Sequence, residues 1–343
     1  MEAGAISVPG GRAVLTRPFR ERLADPVFKW ILRILAGLVV VLIVFFFVFL
    51  YNKAHVALSK FGVFGFTFGE TWDVGKEQFH VLPMLVGTLI TSAIALLIGV
   101  PVAVAAAVFV TELCPRRLRG PLTILVDLLA AVPSVVYGLW AFVILVPNLE
   151  GTENWFGNTF SFIPFIGGGT PTPGPNYLIS GLILAIMIVP IVSAISREVM
   201  ATVPSDHKEA ALALGMTRWE MIRTAVLPYS RAGITGASML GLGRAVGETI
   251  AVAFVIGGST SIGHHMLSQG YTLAAIIANE FQEAANDKLH AGALVAAGLV
   301  LFVMTLIINA VARAYVRHAE RRNLSPPPAP EGTEPVTLGA VAT

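Results

Sequence analysis

The sequence has one cysteine, Cys114, and few charged residues, which make up 13% of its 343 residues. A single cysteine excludes an internal disulfide, and no Cys/His cluster has the spacing of a metal site. The GxxxxGK[ST] pattern of ATP-binding loops is also missing, because the Gly75–Lys76 pair lacks the upstream glycine and precedes Glu77. We therefore expect no metal, no redox cofactor and no ATP hydrolysis by this chain itself.

Apolar residues are abundant: they make up 55% of the chain, and the mean hydropathy is +0.76. Such a composition is too apolar for an ordinary soluble domain. Runs of about 20 apolar residues are long enough to cross a bilayer as helices. Six such runs occur: Trp30–Tyr51, Leu82–Val110, Pro121–Val146, Tyr177–Ser196, Gly233–Ile256 and Ala291–Ala314. The sequence predicts an all-α integral membrane protein with six transmembrane helices.

The distribution of Lys and Arg predicts the orientation of these helices. Six lie up to Arg33, three in 111–120, five in 197–231 and four from Arg313 onward, so 18 of the 23 fall on one side. Loops rich in Lys and Arg stay in the cytoplasm, which puts both termini there. Counting the acidic residues as well, the inner side carries about +7 and the outer side about −4.

Composition also divides the chain into segments. Residues 1–28 and 316–343 are rich in Pro, Gly or charge without apolar periodicity, and we predict that both are disordered and cytoplasmic. The first transmembrane helix and an outer loop occupy 29–81. The remaining spans occupy 82–315, interrupted by a Gly- and Pro-rich outer loop at 147–176 and a cytoplasmic hairpin at 204–230.

The cytoplasmic hairpin has the signals of two short helices. After Pro204, Asp206 and Glu209 have the spacing of a capping box, which predicts a helix start, and Gly215 is suited to close that helix in the left-handed conformation. Thr217 and Glu220 repeat the box. We predict that the second helix ends near Leu227–Pro228.

Helices this short are marginal in water and need a partner. Apolar side chains at the hairpin tip are expected to be exposed: Ala210, Leu212, Leu214, Met216, Trp219 and Met221. Docking into a groove of a soluble protein is the favoured interpretation, with Trp219 as its anchor. Packing on the chain's own helix ends is the alternative. Nucleic-acid binding is disfavoured, because membrane spans hold the hairpin at both ends.

The fifth apolar run contains the segment GRAVGET, which places Arg244 and Glu248 within the membrane. Four residues apart, the two side chains share one face of a continuous helix. They form either a structural salt bridge or an anion site, in which the guanidinium binds oxyanion oxygens and the carboxylate weakens binding enough for release. Thr249 beside them is a further candidate for a transport path. Ser134 is another, because it lies beside the mid-span Pro133, which we expect to kink its helix. Gly243 and Gly247 form a small-residue stripe that we assign to helix packing.

Asp127 lies about six residues into the third apolar run, and we expect it to interact with a helix N-terminus.

The hairpin resembles the EAA loop of ABC-importer permeases, E-A-A-x-x-x-G-x(9)-I-x-L-P. The matching residues are Glu209, Ala210, Ala211, Gly215, Leu227 and Pro228. Ala225 replaces the isoleucine. Over about residues 75–315, four further segments are similar to the PstC-type permeases of bacterial phosphate-specific ABC transporters: TELCP (111–115), VPSVVYGLWA (132–141), SREVM (196–200) and GRAVGETIAV (243–252). Sister PstA-type permeases typically continue this last segment with Ala-Pro instead of the Ile250–Ala251 found here.

The resemblance implies a type I ABC-importer permease fold in the bacterial inner membrane. It also implies a second, PstA-type permease, a dimer of PstB-type ATPases and a periplasmic PstS-type phosphate-binding protein as partners. The hairpin would dock on the ATPase through the matched EAA positions and Trp219, and Arg244 would contact phosphate. A permease for another oxyanion, such as sulfate or molybdate, and an ion-coupled carrier or channel are the alternatives.

Overall fold

The computed structural model describes residues 19–163 and 174–323. Its strands β1 (Trp72–Asp73) and β2 (Gln78–Phe79) form one short antiparallel hairpin, and most of the remaining described residues are helical. The α-helices are α1 (Phe19–Phe61), α2 (Val63–Phe68), α3 (Leu82–Val108), α4 (Arg116–Ala131), α5 (Ser134–Trp140), α6 (Val146–Thr159), α7 (Tyr177–Ala201), α8 (Ser205–Ala213), α9 (Arg218–Met221), α10 (Leu227–Val246), α11 (Ile250–Val255), α12 (Leu273–Glu280) and α13 (Lys288–Asn323). Three π-helical turns, Phe109–Leu113, Ala141–Leu145 and Ile222–Val226, and one 3-10 turn, Glu283–Asn286, extend or join them.

Five helical segments in the described ranges are long and apolar enough to cross a membrane: Pro26–Phe61, Leu82–Leu113, Ser134–Thr159, Tyr177–Ala201 and Lys288–Ala314. The predicted all-α membrane architecture is confirmed. A sixth span over Gly233–Ile256 stays a prediction, because an interruption divides this segment into α10 and α11.

The third predicted span, Pro121–Val146, is wrong at both ends. Helix α4 ends at Ala131, Val132 is extended, and a new helical segment runs from Ser134 to Thr159. A proline disfavours α geometry at the residue before it and has no N–H to donate, so Pro133 separates the two segments instead of kinking one helix. The Tyr137 hydroxyl donates to the Leu129 carbonyl oxygen across the break, at 2.9 Å.

The outer loop and the termini also contain more helix than predicted. Residues 147–159, assigned to the outer loop from their Pro and Gly content, lie in α6. Helix α1 already begins at Phe19 and α13 continues to Asn323, so residues 19–28 and 316–323 are helical and not disordered. The predictions for 1–18, 164–173 and 324–343 lie outside the described residues.

The chain divides into two compact units, 1–53 and 54–343. In the second unit, small residues allow α3, α7 and α10 to pack closely. A Cβ at Gly241 would meet Val192, and one at Gly233 would meet Val199, both at overlapping distances. Because the numbers rise along α10 as they fall along α7, the two helices are antiparallel, as their predicted opposite membrane crossings require. Close approach through small residues is the usual packing mode of membrane helices.

Candidate translocation site and coupling hairpin

Arg244 lies in the last turn of α10, immediately before the helix is interrupted at Gly247. The interruption places Glu248 outside the helix, so the expected four-residue spacing on one continuous face is wrong. Glycine favours such a break because it has the lowest helix propensity after proline. Among the ion pairs of the described residues, none joins Arg244 to Glu248. The Arg244 side chain is exposed, and Glu248 is half-buried.

Helix α5 lies against α11 on the other side of this interruption. A Cβ at Gly138 would lie 2.7 Å from the Ala251 Cα, so the two backbones touch at this glycine. Ala141 and Val255 also belong to one apolar cluster. Ser134 lies one turn before Gly138, at the start of α5.

Arg244 also interacts electrostatically with the Tyr137 phenol on α5. Thr249 is the residue that precedes α11, and its hydroxyl donates to the Gly247 carbonyl oxygen at 3.3 Å. The structure thus places Arg244, Glu248 and Thr249 at the interruption and Ser134 on the neighbouring helix.

In the described part of the chain, no other helix packs against the Gly243 and Gly247 stripe. A Cβ at Gly243 would meet nothing within 4 Å, and one at Gly247 would meet only the Gly243 carbonyl oxygen, at 3.5 Å. The predicted packing role therefore has no counterpart among the described residues, and this face of α10 is open.

The cytoplasmic hairpin follows the predicted plan with two corrections. Gly215 has φ +82° and Thr217 forms both arms of its capping box with Glu220, so these two predictions are confirmed. The first box is wrong, because Pro204 caps α8 without a side-chain hydrogen bond. The box bonds from the Thr217 backbone N–H and hydroxyl hold the pKa of the Glu220 carboxyl below its ordinary value.

The predicted end of the second helix at Leu227–Pro228 is also wrong. Helix α9 passes through the π-helical turn Ile222–Val226 directly into α10. Pro228 falls in the first turn of α10, where a missing N–H is tolerated.

The apolar residues of the hairpin separate into two groups. Leu212, Leu214 and Trp219 are 45%, 79% and 61% exposed. Met221 is buried and Met216 half-buried, and both pack in a cluster with the cytoplasmic ends of α3 and α7. Of the predicted set, Ala210 is also exposed. One group therefore packs on this chain, as the alternative interpretation expects, and the other is exposed. Docking of the exposed group on a soluble protein stays a prediction.

The other EAA positions also divide by exposure. Glu209 is exposed, whereas Ala211 is buried in the cluster with the helix ends. A Cβ at Gly215 would meet nothing within 4 Å, so the glycine is required by its positive φ and not by crowding.

Sequence reasoning missed two ion pairs near the cytoplasmic side. Lys208 of α8 bonds to Glu112 at 2.6 Å, and Arg197 of α7 bonds to Asp127 of α4, also at 2.6 Å. Asp127 lies near the end of α4, so its expected interaction with a helix N-terminus is wrong. The partners are 96 and 70 residues apart in the chain, which no local spacing rule detects.

The family described as "Binding-protein-dependent transport system inner membrane component" matches residues 99–323. This range contains the interrupted helix, the hairpin and both ion pairs near the cytoplasmic side. The chain belongs to this family and is a multi-pass protein of the bacterial plasma membrane.

Relatives of the whole chain carry a more specific description. A phosphate transport system permease protein PstC of Mesorhizobium japonicum is 44% identical over 306 residues, covering 88% of this chain and 93% of the relative. The PstC protein of Xylella fastidiosa strain 9a5c is 39% identical over 319 residues, covering 92% and 96%. PstC 2 of Mycobacterium tuberculosis is 39% identical over 314 residues, covering 90% and 96%.

Solved structures confirm the fold. A bacterial alginate ABC transporter in complex with an alginate pentasaccharide-bound periplasmic protein contains a chain that aligns with a TM-score of 0.55, at 18% identity, over 88% of this chain and 98% of its own length. A second structure, of a bacterial ABC transporter involved in alginate import, aligns with a TM-score of 0.54, at 18% identity, over 85% and 99%. The fold is that of a type I ABC-importer permease.

Proposed function

We propose that this chain is a membrane permease subunit of an ATP-driven phosphate importer. It forms the translocation path together with a second, PstA-type permease. A dimer of PstB-type ATPases docks on its cytoplasmic hairpin and hydrolyses ATP, and a PstS-type binding protein delivers phosphate from outside. The substrate is taken from the 39–44% identity to PstC proteins over most of the chain.

The observation that carries this proposal is the exposed Arg244 at an interrupted helix, with no carboxylate paired to it among the described residues. A charged residue inside a membrane is costly and faces a path or a protein interior. The guanidinium offers planar, paired N–H donors that match the oxygens of a phosphate. Interrupted helices at the midplane are also where transporters bind their substrates.

Glu248 moderates this site. Its half-buried carboxylate lies just beyond the interruption, close in sequence to Arg244, and lowers the net positive charge there. Transport requires a site that releases its ion, and full positive charge would hold a phosphate too tightly. A carboxylate also accepts a hydrogen bond from the OH of a protonated phosphate, which sulfate lacks at neutral pH.

The charge of the outer side favours delivery by a binding protein over capture of free phosphate. The outer segments carry about −4, which repels a free anion. A docked binding protein presents phosphate directly to the permease and avoids this repulsion.

The proposal is tested with the complete four-component complex in proteoliposomes, by measuring uptake of labelled phosphate with sulfate as competitor. Arg244→Lys keeps the charge but loses the paired donors. We expect uptake to fall at least about tenfold, since a hydrogen bond to a charged group contributes about 1.5–3 kcal/mol. Complex assembly should be unchanged, because the Arg244 side chain is exposed.

Arg231→Lys is the matched control. Arg231 is also an exposed arginine of α10, but it lies at the cytoplasmic end of the helix, far from the interruption. We expect its uptake to match that of the wild type. Equal uptake by both variants would remove Arg244 from the phosphate site, and sulfate competition as strong as that of unlabelled phosphate would refute the substrate.

A further inference from the structure

The ion pair between Lys208 and Glu112 joins the hairpin to a transmembrane helix. The Lys208 Nζ lies 2.6 Å from the Glu112 Oε1, and the two side chains are only 23% and 9% exposed. By comparison, the Lys60–Glu77 pair on the outer side has side chains that are 44% and 63% exposed. Solvent screens the pair of Lys208 much less than the exposed pair.

Lys208 faces inward on α8. It is half-buried and shares that face with Ala211, which is buried three residues later. The neighbouring Glu209 and Ala210 are exposed, on the side of the hairpin that we assign to the ATPase. One short helix therefore presents its EAA residues outward and one lysine toward the membrane domain.

Glu112 lies in the π-helical turn Phe109–Leu113, which ends the helix begun by α3. Such turns are rare, and they occur often at functional sites. The same turn also receives a bond from the next helix, because the Arg119 guanidinium of α4 donates to the Thr111 carbonyl oxygen. A movement of this turn would therefore reach both α3 and α4.

A second π-helical turn, Ile222–Val226, joins the hairpin to α10. Ile222 and Val226 of the second turn are buried in one apolar cluster with Ala107 and Val108 of α3 and Met200 of α7. Apolar contacts of this kind are non-directional, so they hold the hairpin against the helix ends without fixing its position along them. Across the same interface, the ion pair is a directional contact among the residues that the structure describes.

We propose that the Lys208–Glu112 pair is a positioning contact that transmits displacement of the ATPase-bound hairpin to α3 and α4. The proposal rests on the proposed function, since it needs an ATPase on the outward side of α8. When the ATPases move the hairpin, Lys208 carries Glu112 with it, because separating a partly buried pair leaves two poorly solvated charges. Neither residue touches phosphate or ATP in this scheme.

The test compares phosphate transported per ATP hydrolysed in the reconstituted four-component complex. The variants are Lys208→Met, Glu112→Gln and the exchange K208E/E112K. We expect each single variant to keep its ATPase subunits and to lower the phosphate-to-ATP ratio about fivefold or more, the lower end of measured coupling between sites. The exchange should restore most of the ratio. Lys60→Met, which breaks the exposed outer pair, should leave it unchanged.

The ratio separates this role from a merely structural one. A contact that only stabilised the fold would lower ATP hydrolysis and uptake together, and an unchanged ratio in the single variants overturns the proposal. If the single variants do not assemble, the exchange decides: assembly with the wild-type ratio supports the contact, and any other result overturns it.

Failure of the proposed function gives a different result. A wild-type complex that takes up no phosphate on ATP addition overturns that function itself. A wild-type complex that transports phosphate, with Arg244→Lys inactive and both single variants fully coupled, overturns only the positioning contact.

Discussion

Replacing Trp219 by alanine should weaken binding of the ATPase without unfolding the permease. An aromatic side chain of this type covers about 150–250 Å² when it is buried. Because Trp219 is 61% exposed in the free chain, a partner would cover about 90–150 Å² of it. At about 25 cal/mol per Å², that area is worth about 2–4 kcal/mol. We therefore expect the dissociation constant for the ATPase to rise at least about thirtyfold.

The assay is titration of purified ATPase against the permease pair in nanodiscs, with the thermal midpoint of the permease as a check on folding. Trp155→Ala is the matched control, because Trp155 is 62% exposed but lies on α6 at the outer side. It should bind the ATPase like the wild type. Equal dissociation constants for the Trp219 and Trp155 variants would refute the assignment of the hairpin tip to the ATPase interface.

Three further predictions concern close contacts, backbone strain and pH. Gly138→Ala should destabilise the α5–α11 contact by about 1–3 kcal/mol and reduce uptake, because its Cβ would lie 2.7 Å from the backbone of α11. The control is Gly151→Ala, whose Cβ would meet nothing within 4 Å, and it should leave the thermal midpoint unchanged. Gly215→Ala should cost about 1–2 kcal/mol, because its φ is +82°, and the asparagine variant should cost less in the same thermal assay. The pKa of Glu220 is lower in the folded state than its ordinary 4.5, so its stabilisation of the hairpin is present above that value and is lost as the pH falls through the folded-state pKa. Amide exchange at the hairpin should rise accordingly below about pH 4.5, and Glu220→Gln, which keeps the box uncharged, should flatten this dependence. The same pH dependence of amide protection in both proteins would contradict this prediction.

Local signals in the sequence were sufficient to predict the hairpin turn. A glycine at a positive φ and a Thr-x-x-Glu box depend only on neighbouring residues, so Gly215, Thr217 and Glu220 adopt the conformations that their spacing indicates. The box at Asp206 failed because Pro204 already fixes the start of α8, one residue before the aspartate.

The interruptions of the membrane helices were harder to predict. A hydropathy window averages over about 20 residues and does not register where a helix stops and restarts. Pro133 and Gly247 were both recognised in the sequence, yet one was assigned to a kink and the other to packing. Whether such a residue bends a helix or ends it depends on the contacts around it, here Tyr137 bonding across the first break and α5 packing beside the second.

Long-range polar contacts were not predictable from a single sequence. The residues next to Glu112 and Lys208 in the sequence do not indicate that the two form a pair. Only the folded chain brings the Lys208 Nζ to 2.6 Å from a Glu112 carboxylate oxygen. The same holds for Arg197, which is buried beside Asp127 near the cytoplasmic side. The apolar helices, by contrast, were predictable from composition, because most of the predicted spans are helical in the structure.

The π-helical turn Ile222–Val226 sets the direction in which Arg244 points. Such a turn holds one residue more than an α-turn, and each residue of an α-helix rotates the chain by about 100°. If the turn tightened into α geometry, α10 would rotate about its own axis by about 100° relative to the hairpin, and Arg244 would leave the side that it shares with Tyr137. Removing one residue from the turn would instead give a regular helix with Arg244 in its present direction. The angular position of Arg244 about the axis of α10 thus depends on a single additional residue next to the hairpin.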